Sequence, residues 1–244
     1  MKSAVILEKG MRREMEDTCF LDLDFGSRGW VFGGVYDGHG GLHVAKYAAE
    51  NLHHVFLEKL SAGSPIPQAF AASYEEISNR VKAQDYGATA VNFLIEEGVI
   101  HTANAGDARA IVIGADVHQL TVDHRLDNIV ERERIESMGG VIQDPYTFRN
   151  EMGLMPTRTL GDEYFRPVGI MTVPSTGVYA IARDDRMLLA ATDGLFDFMT
   201  NEEVASFAGV YPHPAELLEA LKTEVLINRR GSDNLTIIAI SLRE

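Results

Sequence analysis

The segment from Val31 to Gly41, Val-Phe-Gly-Gly-Val-Tyr-Asp-Gly-His-Gly-Gly, places an aspartate and a histidine directly after an apolar run. The run Val31–Tyr36 predicts a buried β-strand that ends at Asp37. A similar pattern occurs where the apolar run Met187–Thr192 is followed by Asp193-Gly194. A carboxylate at the end of a rigid strand can be held in one orientation, as a binding site requires. Each Asp-Gly pair on its own is more typical of a solvated hairpin turn, so both interpretations stay open.

Other acidic residues lie near the ends of predicted strands and could join these two aspartates in a metal site. They are Glu16, Asp17, Asp107, Asp197 and Asp233. Hard cations such as Mg²⁺ and Mn²⁺ prefer oxygen ligands, and several carboxylates are needed to bind them. The spacing along the chain leaves open whether these carboxylates converge.

The apolar pattern predicts short strands in closely spaced pairs together with several longer helices. Strands are predicted at residues 31–36, 88–95, 99–103, 108–113, 117–120, 178–181, 187–191 and 235–242. Helices are predicted at 42–60, 66–81, 126–138 and 214–228, and a capping box at 200–203 predicts a further short helix. The stretch 143–174 is predicted to be a functional loop or flap. The whole pattern favours antiparallel sheets covered by helices in one domain.

The composition limits the classes of partner. The 244 residues carry a formal net charge of −14, which repels nucleic acids and anionic membranes, so a phosphate-bearing partner requires a local positive site. Cys19 is the only cysteine, which excludes an internal disulfide and a zinc site built on thiolates. Residues 1–8 do not resemble a signal peptide, and we find no apolar run that could span a bilayer. We therefore expect a cytoplasmic location, with a nuclear one left open.

A series of motifs from Arg12 to Asn234 gives the acidic residues a common interpretation. In chain order they are Arg12-Arg13-Glu14-Met15-Glu16-Asp17, Asp37-Gly38-His39-Gly40-Gly41, Gly87-Ala88-Thr89-Ala90, Asn104-Ala105-Gly106-Asp107-Ala108-Arg109, Asp123-His124, Arg158-Thr159-Leu160-Gly161-Asp162, Thr192-Asp193-Gly194-Leu195-Phe196-Asp197 and Ser232-Asp233-Asn234. The series resembles, in the same order, the motifs of the protein phosphatase 2C family, the metal-dependent (PPM) protein serine/threonine phosphatases. One such motif would be weak, whereas the ordered series is specific.

The resemblance implies a fold and a metal centre. The fold is α+β, a central antiparallel β-sandwich flanked by helices on both faces, in one catalytic domain over 1–244 with a flap within about 143–174. Two Mn²⁺ or Mg²⁺ ions would be bridged by Asp37. The resemblance assigns the remaining ligands as Asp193 and Asp233 for one ion, Glu16 and the Gly38 carbonyl for the other with Asp17 acting through water, and Asp107 and Asp197 for a third ion found in many members.

The resemblance also implies roles for three residues around the metal centre. Arg12 matches the arginine that binds the substrate phosphate, and His39 matches the proposed general acid. Arg158, within the flap, is a weaker candidate for substrate binding. The implied activity is hydrolysis of phosphoserine and phosphothreonine in proteins, by a monomer that binds neither nucleic acid nor membrane.

Two other functions stay open at this point. A pseudophosphatase would keep the fold as a binding module, although such members usually lose metal ligands and Asp37, Asp193 and Asp233 are all present. A phosphomonoesterase acting on small molecules could use the same metal centre. The flap departs from the family pattern at Met152 and Pro156, so the effect of this segment on substrate choice is open as well.

Overall fold

The computed structural model describes residues 1–243, and two large antiparallel sheets and one small sheet contain its strands. The strands, numbered in chain order, are β1 Ser3–Glu8, β2 Asp17–Phe25, β3 Trp30–His39, β4 Gly87–Glu96, β5 Val99–Ala105, β6 Arg109–Ile113, β7 Val117–Gln119, β8 Val141–Gln143, β9 Tyr146–Arg149, β10 Met152–Leu154, β11 Leu160–Gly161, β12 Ser175–Ala180, β13 Met187–Ala191 and β14 Leu235–Ser241. The α-helices are α1 His43–Ser61, α2 Ile66–Val81, α3 Ile129–Ser137, α4 Asp193–Phe196, α5 Asn201–Val210 and α6 Pro214–Lys222. A 3₁₀ helix at Glu163–Val168 and a π-helical turn at Thr223–Asn228 are also present.

The two large sheets pack face to face. One has the strand order β1-β14-β13-β6-β7, and the other has the order β12-β5-β4-β3-β2 with β11 beside β4. Along β3, Val31 and Val35 belong to the core between the sheets, whereas Phe32 and Tyr36 pack on the helical side. Because both faces of the central strands are buried, these strands are continuous apolar runs in the sequence.

Helices cover the outer face of each large sheet. On the six-stranded sheet, Phe56 of α1 and Phe70 of α2 pack around Phe32. On the five-stranded sheet, Leu217 and Leu221 of α6 enter a core that also includes residues of α5. The predicted antiparallel sandwich with helices on both faces is confirmed. Within residues 1–243, no helix is both long enough and apolar enough to cross a membrane.

Several predicted elements agree with the structure. Residues 66–81 form α2 as predicted, and residues 187–191 form β13. The predicted turn joins β4 to β5 with Glu97 and Gly98 at φ of 46° and 79°, the backbone that two-residue hairpins favour. The predicted capping box is also present, because the Thr200 hydroxyl accepts from Glu203 N and the Glu203 carboxylate accepts from Thr200 N.

Other predictions of local structure are wrong. The helix predicted from 126 begins only at Ile129, because the Asn128 side chain caps it by accepting from Val130 N at 3.1 Å. The stretch 143–174 is not a loop throughout, since β8, β9 and β10 form a three-stranded sheet that reaches Leu154. The sequence pattern predicts no strand before Val31, whereas β1 and β2 precede it.

The polar ends of several strands meet at one edge of the sandwich. β2 begins at Asp17 and pairs antiparallel with β3, so Asp17 lies opposite Asp37. β13 ends at Ala191 beside the start of β14 at Leu235, and β5 ends nearby at Ala105. Segments that are distant in the sequence therefore deliver their acidic residues to the same edge.

Candidate active site

A cleft of about 390 Å³ opens at this edge. Its acidic lining consists of Glu16, Asp37, Asp85, Asp107, Asp162, Asp193 and Asp233. The flap contributes a largely apolar wall to the cleft, with Tyr146, Met152, Leu154, Met155 and Pro156. The cleft thus combines an acidic lining with an apolar wall.

Most of the residues predicted from the sequence lie at this cleft. Those that line it are Arg12, Glu16, Asp37, Gly38, His39, Asp107, Asp193 and Asp233. Asp17 lies outside the lining and is buried, and its carboxylate accepts a hydrogen bond from Thr192 Oγ1 at 2.9 Å. Asp197 also lies outside the lining, with its side chain 42% exposed.

Arg158 does not line the cleft. Its guanidinium binds the Glu131 carboxylate at 2.6 Å and the Val173 carbonyl at 2.9 Å. These contacts join α3 to the segments that follow the flap sheet. The position of Arg158 therefore gives no support to a role in substrate binding and makes it a structural residue at the base of the flap.

The carboxylates of the cleft are costly to ionise together. Desolvation raises the pKa of Asp37 well above its ordinary value, and the charge of Asp193 raises it further. Burial, followed by the charge of Asp107, likewise raises the pKa of Asp193 well above the ordinary range. Burial also raises the pKa of Asp17 to about 6. A bound cation would stabilise the ionised form of such a cluster.

Two arginines place positive charge next to these carboxylates. Arg12, which is 54% exposed, donates from Nη2 to Asp233 Oδ2 at 2.6 Å. Arg125 is not marked by any of the motifs, and it binds three carboxylates, those of Asp107, Asp193 and Asp197. The sequence patterns did not indicate Arg125, because the carboxylates that it binds lie up to 72 residues away along the chain.

The donor set of the cleft fits a hard divalent cation, because it consists of carboxylate and carbonyl oxygens. As the side chains stand, no group of three or more His, Cys, Asp or Glu residues within 1–243 is arranged to hold a metal ion. Arg12 and Arg125 bind several of the carboxylates concerned. Binding of a divalent ion here would therefore require these ion pairs to rearrange.

Asn234 joins the two ends of the described chain at the cleft. Its Oδ1 accepts a hydrogen bond from Glu16 N at 2.8 Å, and its Nδ2 donates to the carbonyls of Lys9 and Glu14. Glu16 Oε1 in turn accepts from Gly41 N at 2.5 Å. These bonds hold Glu16 near the residue that follows Asp233, although the two segments are 218 residues apart.

His39 is held by Asp162, a residue whose role the motif alone does not reveal. Nε2 of His39 donates to Asp162 Oδ2 at 2.8 Å, and the Asp162 side chain is only 1% exposed. Burial lowers the pKa of His39, but the charge of Asp162, the hydrogen bond to it and the charges of Asp107 and Glu16 together outweigh this and raise the pKa. Gly87 is required beside this pair, because a Cβ there would lie 2.0 Å from Asp162 Oδ2. His39 is therefore oriented and favoured in its protonated form.

Comparisons with known proteins agree with the fold. A family model described as protein phosphatase 2C matches residues 2–222. The probable protein phosphatase 2C 68 of Oryza sativa subsp. japonica is 34% identical over 96% of this chain and 76% of its own length. Protein phosphatase 1A of Homo sapiens is 32% identical over 95% of this chain and 68% of its own length.

Solved structures show the same fold. A sex determining protein of C. elegans superposes with a TM-score of 0.87 at 26% identity, over 99% of this chain and 64% of that one. The serine-threonine phosphatase 2C of Toxoplasma gondii superposes with a TM-score of 0.83 at 21% identity, over 99% of this chain and 94% of that one. The fold and the curated relatives are those of a protein phosphatase. The chain belongs to the protein phosphatase 2C family.

Proposed function

We propose that this protein hydrolyses phosphoserine and phosphothreonine in proteins, at a centre of two Mn²⁺ or Mg²⁺ ions. The observation that carries the proposal is the convergence of Asp37, Asp193 and Asp233 with Arg12 and His39 in one cleft. These residues come from separate segments of the chain, so their meeting is a property of the fold and not of local sequence. Membership of the phosphatase 2C family supports the same reaction.

Carboxylates at the bottom of the cleft would hold the ions. Asp37 would contact both, Asp193 and Asp233 would contact one, and Glu16 with the Gly38 carbonyl would contact the other. Asp17 lies one layer deeper and would act through water. Divalent ions at such a site lower the pKa of a water molecule and neutralise the negative charge that develops on a phosphoryl group.

Arg12 would bind the phosphate of the substrate. Its guanidinium is exposed at the cleft and donates to Asp233, so it is already directed at the acidic lining. A planar guanidinium can donate to two phosphoryl oxygens at once, and this geometry suits a phosphate dianion. The −14 charge of the chain would otherwise repel that dianion, so a cation at the cleft is required.

His39 would protonate the oxygen of the leaving serine or threonine. An alkoxide is a poor leaving group, and a positioned acid lowers the barrier to its departure. Asp162 orients the imidazole and favours its protonated form, as this role requires. The side chain of His39 is 29% exposed at the cleft, so a substrate can reach it.

The flap wall favours a peptide over a small polar phosphoester. Met152, Met155 and Pro156 contribute apolar surface to the lining of the cleft, and Tyr146 adds an aromatic ring. The residues that flank a phosphoserine in a protein can bury apolar side chains against such a wall. A sugar phosphate has only hydroxyl groups to place there and loses their hydration without replacement.

The test is phosphate release from phosphothreonine, phosphoserine and phosphotyrosine peptides and from sugar phosphates, with Mn²⁺ and then with EDTA. We expect release from the first two substrates that requires Mn²⁺ and that Asp193→Asn abolishes. Release from sugar phosphates alone would indicate a small-molecule phosphatase. A folded protein that releases phosphate from none of them would indicate a pseudophosphatase. The cytoplasmic location and monomeric state stay predictions from the sequence.

A further inference from the structure

The side chain of Arg125 lies inside a triangle of carboxylates at the edge of the cleft. Its Nε donates to Asp107 Oδ2 at 2.7 Å, and its two terminal nitrogens lie 3.1 Å from Asp193 Oδ2 and 2.8 Å from Asp197 Oδ1. The guanidinium is largely buried, with 24% of the side chain exposed. All three nitrogen atoms of the guanidinium are therefore engaged with acidic partners.

These carboxylates need a counter-charge. Asp107 is 2% exposed and Asp193 is 8% exposed, and burial raises the pKa of both. A buried carboxylate without a compensating cation is strongly unfavourable, whereas a charge-assisted hydrogen bond offsets much of that cost. Arg125 provides one positive charge to three carboxylates, so the arrangement holds them together in the absence of any other cation.

The guanidinium and a divalent ion compete for the same carboxylates. The family resemblance implies a third ion at Asp107 and Asp197, and two of the three carboxylates that Arg125 binds are these residues. Asp107 Oδ2 and Asp197 Oδ1 already contact Arg125, so fewer of their lone pairs are free for an ion. An ion there would also add two positive charges beside a fixed guanidinium, which opposes its binding.

We propose that Arg125 is the resident cation of the Asp107–Asp193–Asp197 cluster and that it lowers the affinity of this cluster for a divalent ion. The proposal rests on the proposed function in that it takes the cleft to bind divalent ions. In this chain the third ion binds Asp107 and Asp197 only when the guanidinium of Arg125 moves away from these carboxylates. Arg125 is thus a specificity-determining residue for metal occupancy, and its contact with Asp193 Oδ2 also helps to position that carboxylate.

The test is a Mn²⁺ titration of the full chain by equilibrium dialysis, without substrate. Arg125→Gln removes the charge and keeps a shorter polar side chain. We expect the Kd of the weakest Mn²⁺ site to be at least tenfold lower in this variant than in the wild-type protein. Arg125→Lys keeps the charge but can engage fewer carboxylates at a time, so its affinity should lie between the two. The matched control is Arg109→Gln, since Arg109 binds Asp123 and stacks on Phe196 without contacting the cluster.

A second variant assigns the gained site. Asp197 is the most exposed of the three carboxylates, so Asp197→Asn can be added to Arg125→Gln with little risk to folding. The double variant should lose the gained affinity and return to the wild-type titration. A thermal melt supplies an independent readout: Mn²⁺ should raise the Tm of Arg125→Gln by more than it raises that of the wild-type protein.

The outcomes separate this proposal from the proposed function. Equal or weaker Mn²⁺ binding by both Arg125→Gln and Arg125→Lys, relative to the wild-type protein, would overturn the role of Arg125. A wild-type protein that binds no Mn²⁺ and releases no phosphate would overturn the proposed function. In that case Arg125 is still judged by whether Arg125→Gln binds Mn²⁺ more tightly than the wild-type protein. Gained affinity that survives in the double variant would contradict the assigned position.

Discussion

Two acidic regions of this molecule are buried, and they are compensated in opposite ways. At the base of the flap a single carboxylate, Glu131, accepts hydrogen bonds from Arg134 and Arg158 at 2.6 Å and from Thr157 Oγ1 at 2.6 Å. Burial alone would raise its pKa, but these bonds and the two positive charges lower it well below the ordinary value. At the cleft, by contrast, carboxylates outnumber arginines and the pKa values of Asp37 and Asp193 are raised.

The difference separates a structural site from a functional one. Several hydrogen-bond donors surround the Glu131 carboxylate, so its ionised form is stable. Its bond to Arg158 also holds α3 to the base of the flap. Asp37 and Asp193 repel each other and lack sufficient counter-charge, so folding alone does not stabilise their ionised forms. Perturbed carboxylates of the second kind cluster at functional sites, because a cation or substrate supplies the missing charge.

The largest effect is expected from Asp37→Asn. We predict that it lowers kcat/KM on a phosphothreonine peptide about a thousandfold or more, since the residue proposed to contact both metal ions is lost. In EDTA the same variant should melt at an equal or higher temperature than the wild-type protein, because one of the mutually repelling carboxylates is gone. A lower Tm in EDTA would show that the Asp37 carboxylate stabilises the fold, as the Glu131 carboxylate does.

Glu131→Gln should show the reverse behaviour. It leaves Arg134 and Arg158 without their carboxylate, and breaking such a buried pair costs about 3 kcal/mol of unfolding free energy. Turnover by the fraction that stays folded should change less than about threefold, because Glu131 does not line the cleft. Urea denaturation and initial rates measure the two quantities. Glu133→Gln, exposed on the same helix, is the control and should leave both unchanged.

His124 lies between the two regions and should make stability depend on pH. It is 1% exposed, and burial, with a contribution from Arg158, lowers its pKa to about 4. A folded-state pKa below the unfolded value means that stability is complete above about pH 6.5 and falls towards pH 4. The loss should approach about 3 kcal/mol. Denaturation at several pH values should show a smaller slope in His124→Gln than in the wild-type protein; equal slopes would contradict the burial of a neutral imidazole.

The smallest effect is expected from Asp162→Asn, which leaves the metal ligands intact but removes the carboxylate that orients His39. We predict a tenfold to hundredfold loss on a phosphothreonine peptide and less than about threefold on p-nitrophenyl phosphate, whose leaving group hardly needs a proton. His39→Ala should show the same selectivity. The control is Asp85→Asn, which removes a different carboxylate from the lining of the cleft. Equal losses on both substrates would argue against a role in protonation.

The sandwich was predictable where strands are buried on both faces. β3, β4 and β13 are continuous apolar runs because their side chains alternate between the inter-sheet core and a helical layer. β1 and β2 lie at the edges of their sheets and are partly exposed. Polar residues interrupt β2, whereas β1 contains only the short apolar run over residues 4–7, which was not recognised as a strand. The flap strands contain only three or four residues each, too few for a period to be recognised.

The residues of the candidate site were also predictable only in part. Asp37 and Asp193 were recognisable because each directly follows an apolar run, although β3 continues past Asp37 to His39, and the motif series added Glu16 and Asp233. Arg125 and Asp162 act through partners that are distant in the sequence: Asp162 lies 123 residues from His39. Such contacts follow from the packing of the sheets and helices, which no local pattern contains.

The position of β14 has a consequence for how the protein is made. This strand lies between β1 and β13, and Asn234 just before it ties Glu16 to the cleft. A nascent chain that has not yet reached residue 233 lacks Asp233 and the strand that joins the two parts of the five-stranded sheet. Earlier segments can form α1, α2 and the six-stranded sheet, yet the cleft cannot be completed until residues 233–241 have been made. A growing polypeptide that stops short of them therefore has no complete cleft with which to act on a phosphoprotein.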